Sequence, residues 1–184
     1  MIITSPDIHL IPKKTTFGRQ RYRLENDWII ILDDGLVLLT PKGFETDLAS
    51  IPRLFWLIPG FTPTGPLMYG SISHDQGYQH QYLLTPFSKK RTYPRKSMEL
   101  REQFPIIFGD LVPVFVGRNR QFFDNFLAGV TIAATGNWFI ANTTKAVLKP
   151  SGFIAWNKYR CYGPSAYNEN SLGLPGLTRN GAIL

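Results

Sequence analysis

Trp28–Thr40, with the sequence WIIILDDGLVLLT, contains two apolar runs separated by Asp33-Asp34-Gly35. Apolar runs that include isoleucine and valine favour β-strands. Glycine permits the positive φ that a tight turn between antiparallel strands requires, so this stretch predicts a β-hairpin. The preceding Arg19–Leu24 segment alternates basic with aromatic or apolar side chains and predicts a third strand. The N-terminal third of the chain is therefore predicted to form a small antiparallel sheet.

Two main helices are predicted to follow the sheet. Pro66 is favoured at the first helical position, and the first helix extends to about Tyr82 before Pro86 prevents its continuation. The second covers roughly residues 119–145, where apolar side chains recur at helical spacing, and Gly129 and Gly136 are candidate interruptions. Sheet and helices together predict an α+β fold.

Length and composition favour one domain with a hydrophobic core. The chain has 184 residues, 43% hydrophobic and 14% aromatic, which excludes a disordered polar protein. A single cysteine, Cys161, excludes an internal disulfide and a thiolate zinc site. The N-terminus lacks the pattern of a signal peptide, and no apolar run reaches membrane-spanning length, so we expect no transmembrane segment.

Prolines divide this single domain, residues 1–184, into a core and two peripheral parts. The core is predicted at about residues 19–82 and 118–160. Between the helices, Pro94, Pro105 and Pro113 interrupt the apolar runs, so residues 87–117 are predicted as an inserted excursion that projects from the core. Residues 162–184 carry little apolar surface and are predicted to form an extended C-terminal arm that contacts other chains.

Much of the net charge of +7 lies in the excursion. This charge predicts a docking surface for an anionic partner. The sequence leaves open whether that partner is an acidic protein, a nucleic acid or an anionic lipid, or whether the charges are only solvated. The candidate partner-binding residues are Lys89, Lys90, Arg91, Arg95, Lys96 and Arg101.

Ser71–Tyr78, with the sequence SISHDQGY, carries the most informative polar residues. On a helix, His74 and Asp75 point about 100° apart, and Tyr78 follows one turn later. A histidine placed in this way can activate a water, while the aspartate can hold a cation or orient a partner. The alternative is a buried histidine that a neighbouring acid holds for structural reasons.

The string Thr46–Arg53 (TDLASIPR), the later His74–Tyr78 segment and Arg120–Phe126 together resemble a family of uncharacterised proteins from tailed bacteriophages and prophages. The resemblance covers roughly residues 25–80 and 118–160. It implies a virion-associated structural or accessory protein of the tail or capsid, made in the bacterial host cytoplasm and assembled with other virion proteins into a multi-subunit particle. Thr46, Asp47 and Arg53 are then expected to support the His-Asp site. This chain departs from the pattern in its long excursion and in Phe123, which replaces a small residue.

The His-Asp-x-x-Tyr helix, with an aspartate on a facing helix, is also similar to the core of phospholipase A2 enzymes. That similarity implies His74 as the general base, Asp75 as the ligand of a divalent cation such as calcium, and Tyr78 and Asp124 as the pair that orients the histidine. The glycine-rich calcium loop and the disulfides of those enzymes are not recognisable here. The resulting alternative function is a hydrolase that acts on the host envelope or on lipid. A nucleic-acid binder that uses the basic excursion is a third hypothesis.

Two spatial predictions separate these hypotheses. Asp47 is predicted to lie beside His74 and Asp75, because a polar pair in an apolar, proline-bounded segment needs a polar partner. Asp124 reaches His74 if the two helices pair through Ile72 and a face formed by Phe122, Phe126 and Val130. A carboxylate within hydrogen-bond distance of the imidazole favours the hydrolase, whereas a gap filled by Phe123 favours the structural role.

Overall fold

The computed structural model describes residues 1–11, 21–48, 62, 64–163, 172, 174–178 and 182. Strands and helices both occur in this part of the chain, which confirms the α+β class. The strands are β1 (Ile2–Ile3), β2 (Ile8–Ile11), β3 (Arg21–Leu24), β4 (Trp28–Ile31), β5 (Val37–Thr40), β6 (Glu45–Thr46), β7 (Leu83–Pro86) and β8 (Leu111–Val114). The helices are α1 (Leu67–His80), α2 (Arg95–Gln103), α3 (Pro105–Phe108), α4 (Arg120–Thr135) and α5 (Trp138–Tyr162).

The strands form two antiparallel sheets. The larger has five strands in the order β1-β4-β5-β7-β8, and the smaller has the order β2-β3-β6. The predicted hairpin is confirmed, because β4 pairs with β5 from Trp28 opposite Thr40 to Ile31 opposite Val37. Gly35 adopts a φ of 77° in the turn, as the sequence required. The predicted third strand forms as β3, but it joins the smaller sheet instead of the hairpin.

Helix α1 lies at the centre of the domain and is buried on nearly every side. It begins directly after Pro66, as predicted, and contacts strands β5 to β7 and helices α4 and α5. Six of its buried residues are polar: Ser71, Ser73, His74, Gln76, Gln79 and His80. A buried helix is normally apolar all round, and buried polar groups are costly unless they are hydrogen-bonded. The buried polar side chains of α1 therefore make this helix the main candidate for the functional site.

The single helix predicted over residues 119–145 is two helices. Gly136 adopts a left-handed φ of 68° and ends α4, a conformation that favours glycine at a helix C-terminus. Asn137 then caps α5 by accepting a hydrogen bond from the Ile140 N–H. Gly129 stays within α4. In the described part of the chain, no helix combines the length and apolar character needed to cross a bilayer.

Residues 87–117 do not project from the core as the sequence predicted. Strand β8 pairs with β7, and its Val112 and Val114 are buried. Pro113 is tolerated because β8 is an edge strand. Leu100 of α2 and Phe108 of α3 pack against the residues around β7, so this segment covers one end of the sheet. The prolines end short elements here and do not mark a loop.

The described residues of the predicted C-terminal arm also pack on their own chain. Leu174 and Leu177 are buried, and the Tyr82 hydroxyl donates a 2.7 Å hydrogen bond to the Pro175 carbonyl. These leucines supply the apolar surface that the composition of the tail appeared to lack. The arm therefore completes the core around β7 at residues 174–177.

His80 is buried against this C-terminal segment, and its burial makes folding sensitive to acid. Burial and the positive charge of Arg160 lower the pKa of His80 to about 3. Hydrogen bonds to the backbone of Pro175 and Leu174 act in the opposite direction but are outweighed. An unfolded histidine titrates near 6.5, so between these two values the unfolded chain binds a proton that the folded chain excludes. The stability that His80 contributes is present above pH 6.5 and is lost as the pH falls towards 3.

We expect the free energy of unfolding of the native chain to decrease, through His80 alone, by up to about 5 kcal/mol across that interval. Urea unfolding at a series of pH values measures it, and the difference from His80→Gln isolates this group from the carboxylates. Identical pH profiles for the two proteins would contradict the assignment.

Candidate functional site

The site lies where α1 and α4 approach closely, and two glycines of α1 permit the approach. A Cβ atom on Gly70 would lie 2.4 Å from the Leu127 carbonyl oxygen, and one on Gly77 would lie 2.1 Å from the Phe123 ring. Contacts that short do not occur between non-bonded heavy atoms, so neither position accepts a larger side chain without movement of α4. The glycines thus bring the polar side chains of the two helices together.

Asp124 of α4 reaches both His74 and Tyr78 of α1, as the sequence predicted. The His74 Nε2 lies 3.1 Å from Asp124 Oδ1, and the Tyr78 hydroxyl donates a 2.6 Å hydrogen bond to the same oxygen. The rings of His74 and Tyr78 also lie against each other, with centroids 3.9 Å apart. His74 and Asp124 are both buried, so the three side chains form one dry, connected network.

Phe123 does not fill a gap between the two helices, which was the arrangement expected if the protein had only a structural role. It is fully buried and lies over Gly77, where the missing side chain leaves room for its ring. Of the face predicted to meet α1, Val130 is buried, whereas Phe122 stacks with Phe126 and contacts Phe115. The departure at Phe123 is therefore compensated by glycine on the opposite helix.

Asp124 is held as a carboxylate. Burial alone would raise its pKa, but hydrogen bonds from His74 and Tyr78 and the positive charge of Arg120 outweigh burial and lower it. Arg120 lies one turn earlier on α4, with Nη1 3.7 Å from Asp124 Oδ2. The same nitrogen donates to the Leu148 and Lys149 carbonyls, which ties α4 to α5. The pKa of Tyr78 is raised by burial and by the Asp124 charge, so its hydroxyl stays a donor.

His74 has a carboxylate near each ring nitrogen. Burial disfavours its protonated form, but Asp124 and Asp75 outweigh that effect and raise the pKa of His74. The contact from Nδ1 to Asp75 Oδ1 is long, 3.4 Å, compared with 3.1 Å on the Asp124 side. Asp124 therefore fixes the orientation of the ring. Nδ1 holds its partner less tightly and is the nitrogen that can more easily form a hydrogen bond to another group.

Thr46 contacts Asp75 directly, and Asp47 lies close enough for its charge to act on Asp75, which confirms the Asp75 part of the prediction for Asp47. The Thr46 hydroxyl donates to Asp75 Oδ2 and accepts a hydrogen bond from the Leu48 N–H. Leu48 has a φ of 52°, a left-handed conformation that is rare for leucine and common near functional sites. Burial and the negative charge of Asp47 raise the pKa of Asp75 to about 7. Arg53, predicted to support the site, lies outside the described residues.

The Asp75 carboxylate, with the charge of Asp47 acting on it, suits a hard cation in its donor chemistry, because calcium and magnesium prefer carboxylate oxygens. Asp47 and Asp75 would be the residues to hold it. Within the described ranges, no three His, Cys, Asp or Glu side chains are grouped as a complete metal cage would require. The ligand set that these residues supply is thus partial.

Helix α5 completes the site, although nothing in the sequence predicted a role for it. Trp156 packs edge-on against Tyr78, with centroids 5.2 Å apart. A Cβ on Gly152 would lie 2.5 Å from the Tyr78 hydroxyl. Arg160 donates to the carbonyls of Tyr78 and Gln79 and so caps the C-terminus of α1. Arg120, four residues before Asp124, could have been found from that helical spacing, whereas nothing local in the sequence connects α5 to His74.

The basic residues predicted to bind a partner differ in their availability. Lys89, Lys90 and Lys96 are exposed in the turn after β7 and on α2. Arg95 is also exposed but pairs with Glu99. Arg101 is not a surface ligand, because it donates to the Leu111 and Gly109 carbonyls and covers the Phe87 ring. Arg101 thus holds α2 against β8, which corrects its predicted role.

One comparison with known proteins gives a match. Residues 22–99 match the model of the family described as "Protein of unknown function (DUF1353)". The match covers fewer than half of the 184 residues, includes His74, Asp75 and Tyr78, and ends before Asp124. No curated protein and no solved structure matches the chain. The phage origin implied by the sequence thus stays a prediction.

Proposed function

We propose that this protein is a hydrolase in which His74 is the general base. The observation that carries the proposal is the Asp124 carboxylate, which contacts the His74 imidazole and the Tyr78 hydroxyl with the same oxygen. A catalytic histidine base is usually oriented by a buried carboxylate, and that carboxylate is in turn held by a further hydrogen-bond donor. A merely structural histidine needs one partner for each N–H, but it does not need a second residue to fix that partner.

The tautomer follows from the hydrogen bonds. Asp124 is ionised and accepts from Nε2–H, so neutral His74 carries its lone pair on Nδ1. A water beside Nδ1 would lose its proton to that nitrogen as its oxygen attacks a carbonyl carbon. The resulting imidazolium lies between the carboxylates of Asp75 and Asp124, which stabilise its charge. The proton then passes from Nδ1 to the leaving oxygen, and the base is regenerated.

A divalent cation bound by Asp47 and Asp75 would polarise the carbonyl that is attacked. The substrate class that the resemblance to phospholipase A2 favours is a carboxylic ester of a lipid. The virion setting implied by the phage resemblance remains compatible with such an activity, since a particle can carry a hydrolase aimed at the host envelope.

Asp124→Asn tests the proposal. The asparagine Oδ1 can still accept from Nε2–H and from the Tyr78 hydroxyl, but the amide group replaces the oxygen that faces Arg120, and the side chain carries no charge to stabilise the imidazolium. We therefore expect kcat for hydrolysis of dihexanoyl phosphatidylcholine, a soluble short-chain phospholipid, to fall by about a hundredfold. The assay is run with and without millimolar calcium, and thermal unfolding of both proteins is measured in parallel.

The control is Tyr78→Phe, which removes one donor to Asp124 and keeps the ring that packs on His74 and Trp156. It should reduce kcat less than Asp124→Asn does. Wild-type protein without esterase activity in either buffer would refute the proposal. Loss of activity in strict proportion to loss of folded protein would leave only a buried polar network, and would refute it equally.

A further inference from the structure

Helix α5 presents an exposed apolar stripe to solvent. Phe139, Ala146 and Phe153 are seven residues apart, so they lie on one face of the helix, and all three are exposed. Trp138 and Ile154 border this stripe. The exposed fractions of the four large side chains are 66% for Trp138, 63% for Phe139, 60% for Phe153 and 73% for Ile154. Four large exposed apolar groups on one helix exceed what isolated surface residues explain.

The same region is entirely free of negative charge. From residue 125 to residue 168 the sequence contains no aspartate or glutamate, whereas α5 carries Lys145, Lys149, Lys158 and Arg160. Lys149 is exposed and lies between Ala146 and Phe153 along the helix. An apolar face flanked by lysines, on a helix without acids, is the pattern of a helix that lies in the interface of an anionic membrane.

We propose that the outer face of α5 docks this protein on the surface of a membrane rich in anionic lipid. Charge complementarity selects this occupant over a second copy of the chain, because self-association through this face would bring two sets of lysines together without a counter-charge. The aromatic content supports the choice, since tryptophan and phenylalanine insert readily at the level of lipid headgroups. At 25 residues, α5 is about 37 Å long.

The position of the stripe connects it with the site. Gly152 faces the Tyr78 hydroxyl, and the next two residues, Phe153 and Ile154, point away from the core. A membrane docked on them would thus lie about one helix diameter, roughly 10 Å, from Tyr78. For its biological purpose this inference rests on the proposed function, because docking would keep a lipid hydrolase at its substrate.

Sedimentation with vesicles tests the docking. Wild-type protein is expected to sediment with vesicles of phosphatidylglycerol and phosphatidylcholine and to remain in solution with phosphatidylcholine alone. The double variant Phe139→Ser/Phe153→Ser should lower the partition coefficient at least tenfold, because both rings leave water on docking. Lys149→Gln should lower it about fivefold on anionic vesicles, the effect of one lysine near a charged surface.

The matched control is Ile106→Ser, which removes an apolar side chain that is 96% exposed on α3. It should bind vesicles as the wild type does. Wild-type protein that stays in solution with anionic vesicles, or a double variant that binds them unchanged, would overturn the proposal. A wild-type dimer in analytical ultracentrifugation that the double variant converts to a monomer would assign the stripe to a second copy and would overturn it as well.

Failure of the docking can be distinguished from failure of the hydrolase. Asp124→Asn should bind anionic vesicles as the wild type does, because Asp124 is buried and lies on α4. The double variant Phe139→Ser/Phe153→Ser should hydrolyse soluble dihexanoyl phosphatidylcholine as the wild type does. Binding without hydrolysis would refute only the proposed function, and hydrolysis without binding only the docking.

Discussion

Gly77→Ala is expected to destabilise the fold by about 3 kcal/mol. The new methyl group would lie 2.1 Å from Cδ1 and 2.4 Å from Cε1 of Phe123, so α1 and α4 must separate or the ring must leave its position. The ring is fully buried and packs against Trp156 and Phe122, which leaves it no alternative rotamer without further displacement. Urea unfolding of the purified variant measures the loss.

Gly129→Ala is the matched control, since it makes the same substitution within α4 at a position where nothing lies within 4 Å of the added Cβ. It should stabilise the protein by up to about 1 kcal/mol through helix propensity. Phe123→Leu should recover part of the loss in the Gly77→Ala background, because the smaller side chain vacates the clash. A Gly77→Ala protein as stable as the wild type would show that the two helices are less tightly packed than the structure indicates.

The parts of the fold that the sequence predicted are those with local signals. The turn at Gly35 and the start of α1 after Pro66 depend on backbone preferences of one or two residues, and both occur where expected. The end of α4 at Gly136 also depends on a local backbone preference, although the sequence alone did not show whether Gly129 or Gly136 ends the helix. Only the left-handed conformation at Gly136 distinguishes them, and that depends on where the chain must turn.

The parts that the sequence missed depend on distant partners. Strand β8 contains a proline and sits between short helices, and only its pairing with β7 makes it a strand. Leu174 looks like a loose residue in a polar tail until it packs into the cluster around Tyr82, and Leu177 is buried as well. Pairing and burial between segments far apart in sequence leave no local pattern, and propensity cannot replace them.

The candidate site likewise has residues whose positions follow from local sequence signals and residues whose positions depend on distant partners. His74, Asp75 and Tyr78 share one helix, so their relative positions follow from helical geometry. Asp124 was predicted from the resemblance, and its contact required the close approach that Gly77 permits. The sequence predicted a helix that ends near residue 145, whereas α5 continues to Tyr162. The roles of Gly152, Trp156 and Arg160 therefore could not be foreseen.

The polarity of α1 is costly to stability and points to selection for function. Gln76 Nε2 and Gln79 Oε1 are buried without a hydrogen-bond partner among the described residues. Each unsatisfied group of this kind costs about 1 to 3 kcal/mol. A helix that served only to fill the core would carry leucine or alanine at these positions.

His74→Gln is expected to lower kcat for dihexanoyl phosphatidylcholine by about 10⁴-fold, the upper end of what a general base supplies. Glutamine can still donate to Asp124, so the network that joins α1 to α4 remains satisfied on one side. It has no nitrogen that accepts a proton near neutral pH. The variant should therefore remain folded while it loses the step that forms hydroxide.

The control for this variant is His80→Gln, which replaces another buried histidine six residues later on the same helix. His80 contacts the backbone of Pro175 and Leu174 and none of the residues around Asp124, so its replacement should alter stability and leave kcat of the folded protein near the wild-type value. Circular dichroism and urea unfolding establish the folded fraction of each protein before rates are compared. Equal kcat for the wild type and His74→Gln would exclude His74 as the base.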